Sequence, residues 1–481
     1  MYMLMVVAAA LWLNRIASVT QVLCCALGMV VLLDPWAVLW PGFWLSFGAV
    51  ATILYATVGR TAMRPAHDGP PPSRSERLRL ALSVGAHTQY AVTFGLVPLT
   101  MLLFAQVSVI SPLANAVAIP LISLVVTPLA LVGSMLPATL AAPVLGLAHL
   151  LVEWLAVCLQ WFSGMRYAVW SAPTPPAWLF CWAMLGTVWL LAPRGWPVRW
   201  LGLATWIPLL AAAPVHPAAG RMTVTAFDVG QGTALLIETS HHRLLYDTGP
   251  VYAATSNAGN RVILPYLKAR GIAALDGVIV THSDADHSGG ALAVLDGVRV
   301  DWVLSSLPPL HPIARAARRH LHCAAGQHWD WDGVHFELLH PLASSYADDG
   351  LKPNARGCTL KITAGGKSML LAADIEAPQE AALLQRDRAS LQADVLLVPH
   401  HGSGTSSTPA FLSAVRPQTA VFQLGYRNRY HHPRQDVYER YGQLHIERLR
   451  TDQTGALTLE FGDSIAISAW RQTHARYWYG R

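Results

Sequence analysis

The stretch VIVTHSDADHSGGALAVL, Val278–Leu295, decides how the second half of the chain is interpreted. A short apolar run, typical of a buried strand, is followed by four potential ligands, His282, Asp284, Asp286 and His287. His282 and Asp284 are two residues apart and point the same way in an extended turn, whereas the adjacent Asp286 and His287 diverge. This spacing suits two metal ions in one pocket. The alternative interpretation, a capped helix N-terminus with acidic side chains near the helix dipole, is compatible with it.

Three further predicted strands end in side chains of the same kind. LLYDTG, SMLLAAD and ADVLLVPHH place Asp247, Asp374, His400 and His401 after short apolar runs. Ligands at the ends of neighbouring strands can converge on one site from a rigid scaffold. We expect Asp374 to bridge two ions, His400 or His401 to complete the second position, and Asp247 to support the ligands from behind.

This combination of ligands predicts a hydrolytic metal centre. Mixed histidine and carboxylate ligation is typical of Zn²⁺ or Mn²⁺ rather than Mg²⁺ alone, and the lack of cysteine among the ligands argues against a closed structural zinc site. Two ions about 3.5–4 Å apart generate a hydroxide and stabilise an in-line displacement at phosphorus. We therefore predict two divalent ions, Mn²⁺ or Zn²⁺.

Other polar residues carry a weaker signal. Asp228 and Gln231 lie in the glycine-rich FDVGQG turn, which is either functional or purely structural. Asn428 and His432 lie in LGYRNRYHHP, where a site role competes with loop packing. We place Asp228, Gln231 and Asn428 in support or substrate contact, and we count His432 with Asp284 and Asp286 among the candidate catalytic residues.

Composition divides the chain into two unlike halves. The chain is 53% hydrophobic and 13% charged, whereas soluble domains carry about 25% charged residues. Residues 1–212 hold no lysine, nine arginines and four acidic residues, while 17 of the 20 histidines follow residue 212. The net charge of +6 therefore splits into +5 and +1. A basic excess on membrane loops is weak evidence of nucleic-acid binding.

The first half predicts an α-helical transmembrane bundle over residues 1–212. The expected spans lie near 1–13, 17–33, 37–58, 82–105, 110–134, 140–163, 176–192 and 197–213. The arginine-rich loop 59–80 is expected on the cytoplasmic side, which places residues from 214 onward in the periplasm of a Gram-negative cell. Glu153 is an acidic residue near the middle of a span, where it either lines a water-filled path or reflects ordinary helix packing.

The second half predicts one layered α/β domain over residues 222–465, after a Pro/Ala-rich linker at 213–221 and before a tail at 466–481. Helical patterns cover 288–296, 311–321 and 376–386. The six cysteines have no CxxC spacing and suggest no disulfide framework. Cys323 and Cys358 would pair only if this half is periplasmic, and we do not favour the pairing.

Two sets of motifs carry a family resemblance. FDVGQGTALLI, LLYDTGP, NRVILPYLKARGI, VTHSDADHSGG, LLAADIE and LLVPHHGSGTSS resemble the metallo-β-lactamase domain of the ComEC family of competence DNA-uptake channels. PGFWLSFGAVATIL and FAQVSVISPLANAVAIPLISLVVTPLALVG resemble the membrane domain of that family. The likeness extends over about residues 1–460, in the family's order.

The resemblance implies a fold, a function and partners. The second domain would be a four-layer αββα sandwich, with His282, Asp284, Asp286, His287, Asp374 and His400 as metal ligands or their close support and with Asn354 and His432 as further site residues. The chain would be a multi-pass inner-membrane channel for single-stranded DNA in natural transformation, with a nuclease domain that degrades the other strand. Implied partners are membrane lipid, a periplasmic DNA receptor, a cytoplasmic motor and a second copy of the chain.

Three departures from the family pattern matter. Asp284 stands at the second position of the HxHxDH motif, as in the ComEC branch, which weakens an analogy with β-lactam hydrolysis. Cys358 stands where the family often has serine. The family's soluble OB-like domain and first membrane helices have no counterpart, which suggests a fragment.

Two other functions stay open at this point. One is a membrane-anchored metallohydrolase that acts on another phosphodiester or ester. The other is a DNA-binding scaffold without catalysis, in which basic side chains such as Arg427 and Arg429 contact phosphates. The aromatic and basic tail RQTHARYWYGR would stack single-stranded bases, lie at the membrane interface or be disordered, and disorder is the default expectation.

Overall fold

The computed structural model describes residues 5–6, 8, 12, 18–57, 73–165, 167–193, 195–348 and 350–479. The chain separates into two compact units. The helical unit comprises residues 1–214 with 268–271, and the sandwich unit comprises residues 215–267 with 272–481.

The helical unit consists mainly of apolar helices. Their bounds are Val19–Leu33, Pro41–Thr57, Arg74–Phe104, Ser111–Pro120, Thr127–Met135, Ala138–Ser163, Ala177–Leu191 and Ile207–Leu210, with 3-10 turns at Pro35–Leu39 and Arg199–Trp206. A π-helical segment, Leu121–Val126, follows Pro120 and joins its neighbouring helices into one rod, Ser111–Met135. Because proline lacks a backbone donor, such a local change of hydrogen bonding is expected there. Strands β1 (Gln106–Ser108) and β2 (Val169–Ser171) pair antiparallel.

Among the residues that the structure describes, two helices are long and apolar enough to cross a membrane, Ser111–Met135 and Ala138–Ser163. They coincide with the spans expected near 110–134 and 140–163. The apolar helices Thr20–Leu33, Pro41–Thr57 and Ala177–Leu191 are shorter.

Of the expected spans at the two ends of the helical unit, the last is wrong and the first cannot be compared with the structure. The span expected over 197–213 is wrong, because short 3-10 and α-helical turns replace one long helix there. Pro208, at the start of the last turn, removes a backbone donor. The span expected near 1–13 lies largely outside the described residues, as does most of the 59–80 loop.

The sandwich unit contains an eight-stranded and a seven-stranded sheet. The first has the order β10-β9-β8-β5-β4-β3-β18-β19. Its strands are β3 Met222–Ala226, β4 Leu235–Glu238, β5 Arg243–Tyr246, β8 Ala274–Val280, β9 Arg299–Ser305, β10 His320–His322, β18 Leu457–Phe461 and β19 Ile465–Ala469, and a small hairpin joins β6 Val251–Ala253 to β7 Ser256–Asn257. Strands β5, β8, β9 and β10 run parallel, and the other pairings are antiparallel.

The second sheet has the order β11 to β17 in sequence. Its strands are β11 His328–Trp331, β12 Val334–His340, β13 Thr359–Ala364, β14 Lys367–Leu371, β15 Val395–Leu397, β16 Thr419–Phe422 and β17 Glu447–Arg450. Strands β14 to β17 run parallel. The carboxyl ends of parallel strands are where α/β sheets place their functional loops.

Three hydrophobic cores define four layers. The inner faces of both sheets form one core, in which Val224 and Ile279 of the first sheet are buried with Phe336 and Leu397 of the second. Helices cover both outer faces, the first sheet through Leu264–Ala269, Ala291–Gly297 and Pro312–Ala316, and the second through Ala377–Asp387, Pro409–Val415 and Gln435–Gln443. The arrangement is therefore an αββα sandwich.

Three local expectations need correction. Residues 466–469 belong to β19, which pairs with β18, so the tail does not begin at 466. Residues 470–473 form a helical turn and the described tail extends to 479. The helix expected over 311–321 covers only Pro312–Ala316, since 320–322 pair as β10. Cys323 and Cys358 form a disulfide, against the sequence-based preference.

Candidate metal centre

Loops at the carboxyl ends of four parallel strands build the centre. Asp247 directly follows β5, His282 follows β8, Asp374 follows β14 and His400 follows β15. The backbone turns sharply at these places, since Asp247, Ala373, His400 and His401 all have positive φ between 49° and 56°. A positive φ raises the conformational free energy of every residue other than glycine. Residues held in this conformation are concentrated at functional sites.

Asp286, His287, Asp374 and His401 form a tight cluster. One ligand atom of each lies within 4.8 Å of the others. Asp374 is central, because its Oδ1 lies 3.1 Å from His287 Nε2 and its Oδ2 lies 3.7 Å from His401 Nε2. His401 Nε2 is also 3.3 Å from Asp286 Oδ2. Two carboxylates and two imidazoles thus face one point, and three of these four side chains are buried.

Nε2 of His282, His287 and His401 is buried and faces the carboxylates of the cluster. The opposite nitrogen of each ring is held in place. Nδ1 of His287 lies 2.7 Å from Asp247 Oδ2, Nδ1 of His401 lies 2.8 Å from the Gln423 carbonyl and Nδ1 of His282 lies 2.9 Å from Thr281 Oγ1. This is the arrangement of a metal-ligating histidine, whose outer nitrogen donates to a supporting group while the inner nitrogen faces the ion. The residues present therefore fit a divalent cation.

Asp247 supports two of these histidines. Its side chain is fully buried and accepts hydrogen bonds from the Thr281 amide and hydroxyl, both at 2.8 Å. The Thr281 hydroxyl in turn contacts His282 Nδ1. One carboxylate therefore fixes the ring of His287 directly and that of His282 through Thr281.

Charge at the centre favours a cation. Burial raises the pKa of Asp374, but His287 and His401 outweigh burial and hold that pKa well below its usual value. Burial lowers the pKa of His287, but Asp374 and Asp247 outweigh it and raise that pKa well above its usual range. Burial lowers the pKa of His282 to about 3, with His287 acting in the same direction. The negative charge of the carboxylates therefore favours a proton on the neighbouring imidazoles. A metal ion that binds to these imidazoles would displace such a proton.

Three sequence-predicted ligands flank the cluster. His282 Nε2 lies 4.0 Å from Asp374 Oδ2 and 3.6 Å from Asp284 Oδ2. His400 Nε2 lies 3.7 Å from Asp374 Oδ2, while its Nδ1 lies 3.4 Å from Glu376 Oε1. Of the two adjacent histidines, His401 belongs to the tight cluster and His400 lies at its partly exposed side.

The remaining predicted residues on this side of the sandwich lie in two loops. The ring of His432 lies 5.9 Å from that of His400, and its Nδ1 is buried without a hydrogen-bond partner among the described residues. Asn428 fixes the His432 backbone, accepting from its amide at 2.9 Å and donating to its carbonyl at 2.6 Å. Asn354 Oδ1 is likewise buried and unpaired in the described part, and the nearby Gly357 packs against Ala373.

Three predicted residues lie outside the cluster. Asp228 pairs with Arg471 at 2.9 Å, and Gln231 Oε1 accepts from the Gly425 amide at 3.3 Å. Glu153 belongs to the helical unit, where its carboxylate lies 3.2 Å from His149 Nε2, and both side chains are exposed.

Sequence interpretation missed two supporting groups. Thr281 lies between a predicted strand and His282, and Gln423 directly follows the buried strand β16. Gln423 presents its carbonyl to His401 and uses its side-chain amide to donate to the Phe227 and Ala234 carbonyls. The available signal was a polar residue placed directly after an apolar strand.

Comparisons with known proteins cover both halves of the chain. Residues 1–197 match the family model described as competence protein, and residues 227–426 match that of the metallo-beta-lactamase superfamily. Competence protein ComA of Neisseria gonorrhoeae is 37% identical over 460 residues, 94% of this chain and 60% of that protein. ComE operon protein 3 of Bacillus subtilis (strain 168) is 25% identical, over 94% of this chain and 59% of that protein.

The chain spans about three fifths of the length of the curated relatives it matches. Among solved structures, the metallo-beta-lactamase fold protein YhfI of Bacillus subtilis covers 48% of this chain and 96% of its own at 13% identity, with a TM-score of 0.32. The family model and the sheet topology agree on the fold of the sandwich unit.

Proposed function

We propose that the chain is a member of the ComEC family of competence proteins, and that it conducts one strand of transforming DNA across the inner membrane while its sandwich unit hydrolyses phosphodiester bonds. The observation that carries the hydrolytic part is the convergence of three buried imidazole nitrogens on Asp374, each within 4.0 Å of its carboxylate. Each of these rings is held from behind by a hydrogen bond.

Two divalent ions, Mn²⁺ or Zn²⁺, fit the donor set. Asp374, Asp286, His287 and His401 would hold the metal, and His282, Asp284 and His400 would complete its surroundings. Bound ions of this kind supply a hydroxide at neutral pH and stabilise charge on the phosphate oxygens.

The chain's own residues position the reaction. Asp286 stays ionised, because its hydrogen bond to His401 and the charge of His287 outweigh burial and lower its pKa. Its carboxylate is partly exposed and can orient a water molecule by accepting a hydrogen bond from it. Asp284 lies beside Nε2 of His282, whose ring Thr281 holds at Nδ1, and His432 offers a ring nitrogen to the phosphate from the neighbouring loop.

The helical unit supplies the membrane part of the proposal. Helices Ser111–Met135 and Ala138–Ser163 have the length and hydropathy of spans, and their apolar side chains are mostly exposed. The shorter apolar helices would complete a multi-pass channel in which Glu153 faces a water-filled path. Single-stranded DNA, a periplasmic DNA receptor, a cytoplasmic motor, membrane lipid and a second copy of the chain are the proposed partners.

The disulfide supports a periplasmic sandwich unit. Cys323 and Cys358 are buried and form a disulfide bond. Disulfides persist in oxidising compartments such as the periplasm, whereas thiols in the cytosol are kept reduced.

Hydrolysis is tested with the purified full chain. End-labelled single- and double-stranded DNA are incubated with Mn²⁺ or Zn²⁺ and with EDTA as the metal-free control. We expect metal-dependent cleavage that Asp286→Ala abolishes and that Asp301→Ala, a surface control on β9, leaves unchanged. Binding of DNA without cleavage under every metal condition would identify a scaffold, and cleavage of other esters alone would identify a different metallohydrolase.

Transport needs a separate test in cells. A transformation-deficient strain that lacks its own ComEC-family protein is complemented with the full chain, with the Asp286→Ala variant or with the sandwich unit alone. The full chain is expected to restore uptake of labelled DNA. Uptake by cells that carry only the sandwich unit would contradict the channel.

A further inference from the structure

A deep groove on the sandwich unit lies outside the metal centre. It has a volume of about 1140 Å³, and three chain segments line it, namely 426–427, 450–453 and 471–479. We call it the C-terminal groove. Four arginines and one aspartate are among its lining residues, so its charge is positive.

Two of the arginines are held in ion pairs and two are not. Arg450 pairs with Asp452 at 2.7 Å, and Arg471 pairs with Asp228 at 2.9 Å. Arg427 and Arg476 have no carboxylate partner in the part of the chain that the structure describes, and their guanidinium groups lie 5.2 and 5.4 Å from the rings of neighbouring aromatic residues. Unpaired guanidinium groups in a concave surface suit the phosphates of a polymer.

Aromatic rings alternate with these charges. Tyr426, Trp478 and Tyr479 line the same groove, and Tyr426 is 70% exposed. Arg427 lies over Tyr426 and Arg476 over Trp478. A groove that combines backbone-binding charges with exposed rings is typical of sequence-tolerant binding to single-stranded nucleic acid, because every base has a face that stacks.

Two loops connect the groove to the metal centre. In the first, Asp228 pairs with Arg471, while the Thr233 amide donates to the Asp286 carbonyl at 3.0 Å. Five residues of extended chain span at most about 18 Å, which bounds the distance between these two points. The second loop starts with Tyr426 in the groove and ends with His432 beside His400.

We propose that the C-terminal groove binds a single-stranded polynucleotide and leads it to the metal centre. The choice of a polynucleotide as the ligand rests on the proposed function. The positive charge and the aromatic rings of the groove are observed independently of that function. A lipid surface is the competing occupant, but a concave surface with arginines inside it is a poorer match to a membrane than protruding side chains would be.

The test measures binding by the full chain in detergent, with EDTA present so that no cleavage occurs. Fluorescein-labelled oligo(dT) is titrated and its anisotropy recorded at several salt concentrations. The variants are Arg427→Glu with Arg476→Glu, and Tyr426→Ala with Trp478→Ala. Arg388→Glu, at an exposed arginine that follows helix Ala377–Asp387 and does not line the groove, is the matched control.

The charge variant is expected to weaken oligo(dT) binding at least about tenfold and to lower the slope of log affinity against log salt by about 1.4, the value for two lost phosphate contacts to a single strand. The aromatic variant is expected to weaken binding roughly 5- to 100-fold with little change in that slope. Arg388→Glu should change neither. Circular dichroism and thermal melting verify that all variants fold.

Unchanged oligo(dT) affinity in both groove variants would overturn the proposal. If those variants are instead recovered less well in phosphatidylglycerol nanodiscs than in phosphatidylcholine nanodiscs, the groove contacts lipid headgroups and the proposal is wrong. Hydrolysis of bis(p-nitrophenyl) phosphate by the wild type with Mn²⁺ is measured in parallel. Its absence, with groove-dependent oligo(dT) binding retained, would refute the hydrolytic function and leave the groove standing.

Discussion

The two units of this chain use apolar side chains in opposite ways. In the sandwich unit they face inward, and Phe336 and Leu397 between the sheets are buried. In the helical unit they face outward, where Leu124 is 74% exposed. Soluble proteins rarely present large contiguous apolar surfaces to water, so this apolar exterior is consistent with the lipid environment that we propose for the helical unit. The lesson is that hydropathy identifies the solvent of each unit only when burial is known.

Removal of the central carboxylate should have the largest effect on the sandwich unit. Asp374→Ala removes the group that three histidine nitrogens face, so bound Mn²⁺, measured by mass spectrometry of the desalted protein, should fall to background. DNA hydrolysis should fall to the rate measured with EDTA. Asp301→Ala is the control, since its surface ion pair contributes little. Full metal content in the Asp374 variant would contradict the assigned ligand.

A matched pair of leucines tests the contrast between the units directly. Leu124 in the helical unit and Leu310 in the sandwich unit are 74% and 73% exposed. Leu124→Arg should reduce membrane insertion by about 2.5–3.5 kcal/mol if its surroundings are lipid. Leu310→Arg should change the stability of the sandwich unit by less than about 0.5 kcal/mol. Membrane insertion is measured by glycosylation mapping. If Leu124→Arg affects the protein as little as Leu310→Arg does, the proposed difference in environment between the two units is wrong.

Loss of the disulfide should destabilise only the sandwich unit. Cys323→Ser with Cys358→Ser opens a link between residues 35 apart, which should lower the free energy of unfolding by about 2–4 kcal/mol. Hydrogen exchange of the sandwich strands measures it locally. A reducing agent should destabilise the wild type to the same level and leave the variant unaffected. Equal stability of the two proteins would show that the bond does not form.

Asp247→Asn should weaken metal binding without removing a ligand. The change keeps the side chain's size but weakens its hold on His287 and Thr281, so Mn²⁺ affinity should fall about 10- to 100-fold. Isothermal titration calorimetry measures it. Unchanged affinity, with the fold intact, would show that these hydrogen bonds do not orient the ligand.

Glu153 should give the smallest structural effect. Its pair with His149 is exposed, so Glu153→Gln should change helix stability by less than about 1 kcal/mol. Uptake of labelled DNA by complemented cells separates the two interpretations. A large loss of uptake with normal protein levels supports a role in the translocation path, and unchanged uptake assigns Glu153 to ordinary helix packing.

The sequence was most informative where chemistry and periodicity coincide. Apolar runs that end in His282, Asp374 or His400 indicated both the strands and a common site at their ends, because ligands on rigid neighbouring strands can converge. It was least informative where long-range packing decides. The partners of Asp228 and Cys323 lie 243 and 35 residues away, and the residue patterns give no distance between them. The strand at 465–469 is short and pairs with β18 at the edge of the first sheet. The sequence pattern did not predict this pairing either.

The central claim is that the sandwich unit holds divalent metal for phosphodiester hydrolysis. The most direct measurement is a Mn²⁺ titration of the purified full chain, wild type and Asp374→Ala, with metal content and DNA cleavage recorded on the same samples. We expect cleavage by the wild type to rise in step with bound metal, and we expect the variant to show neither metal binding nor cleavage. Cleavage by the variant, or stoichiometric metal in the wild type without hydrolysis of any phosphodiester, would contradict it.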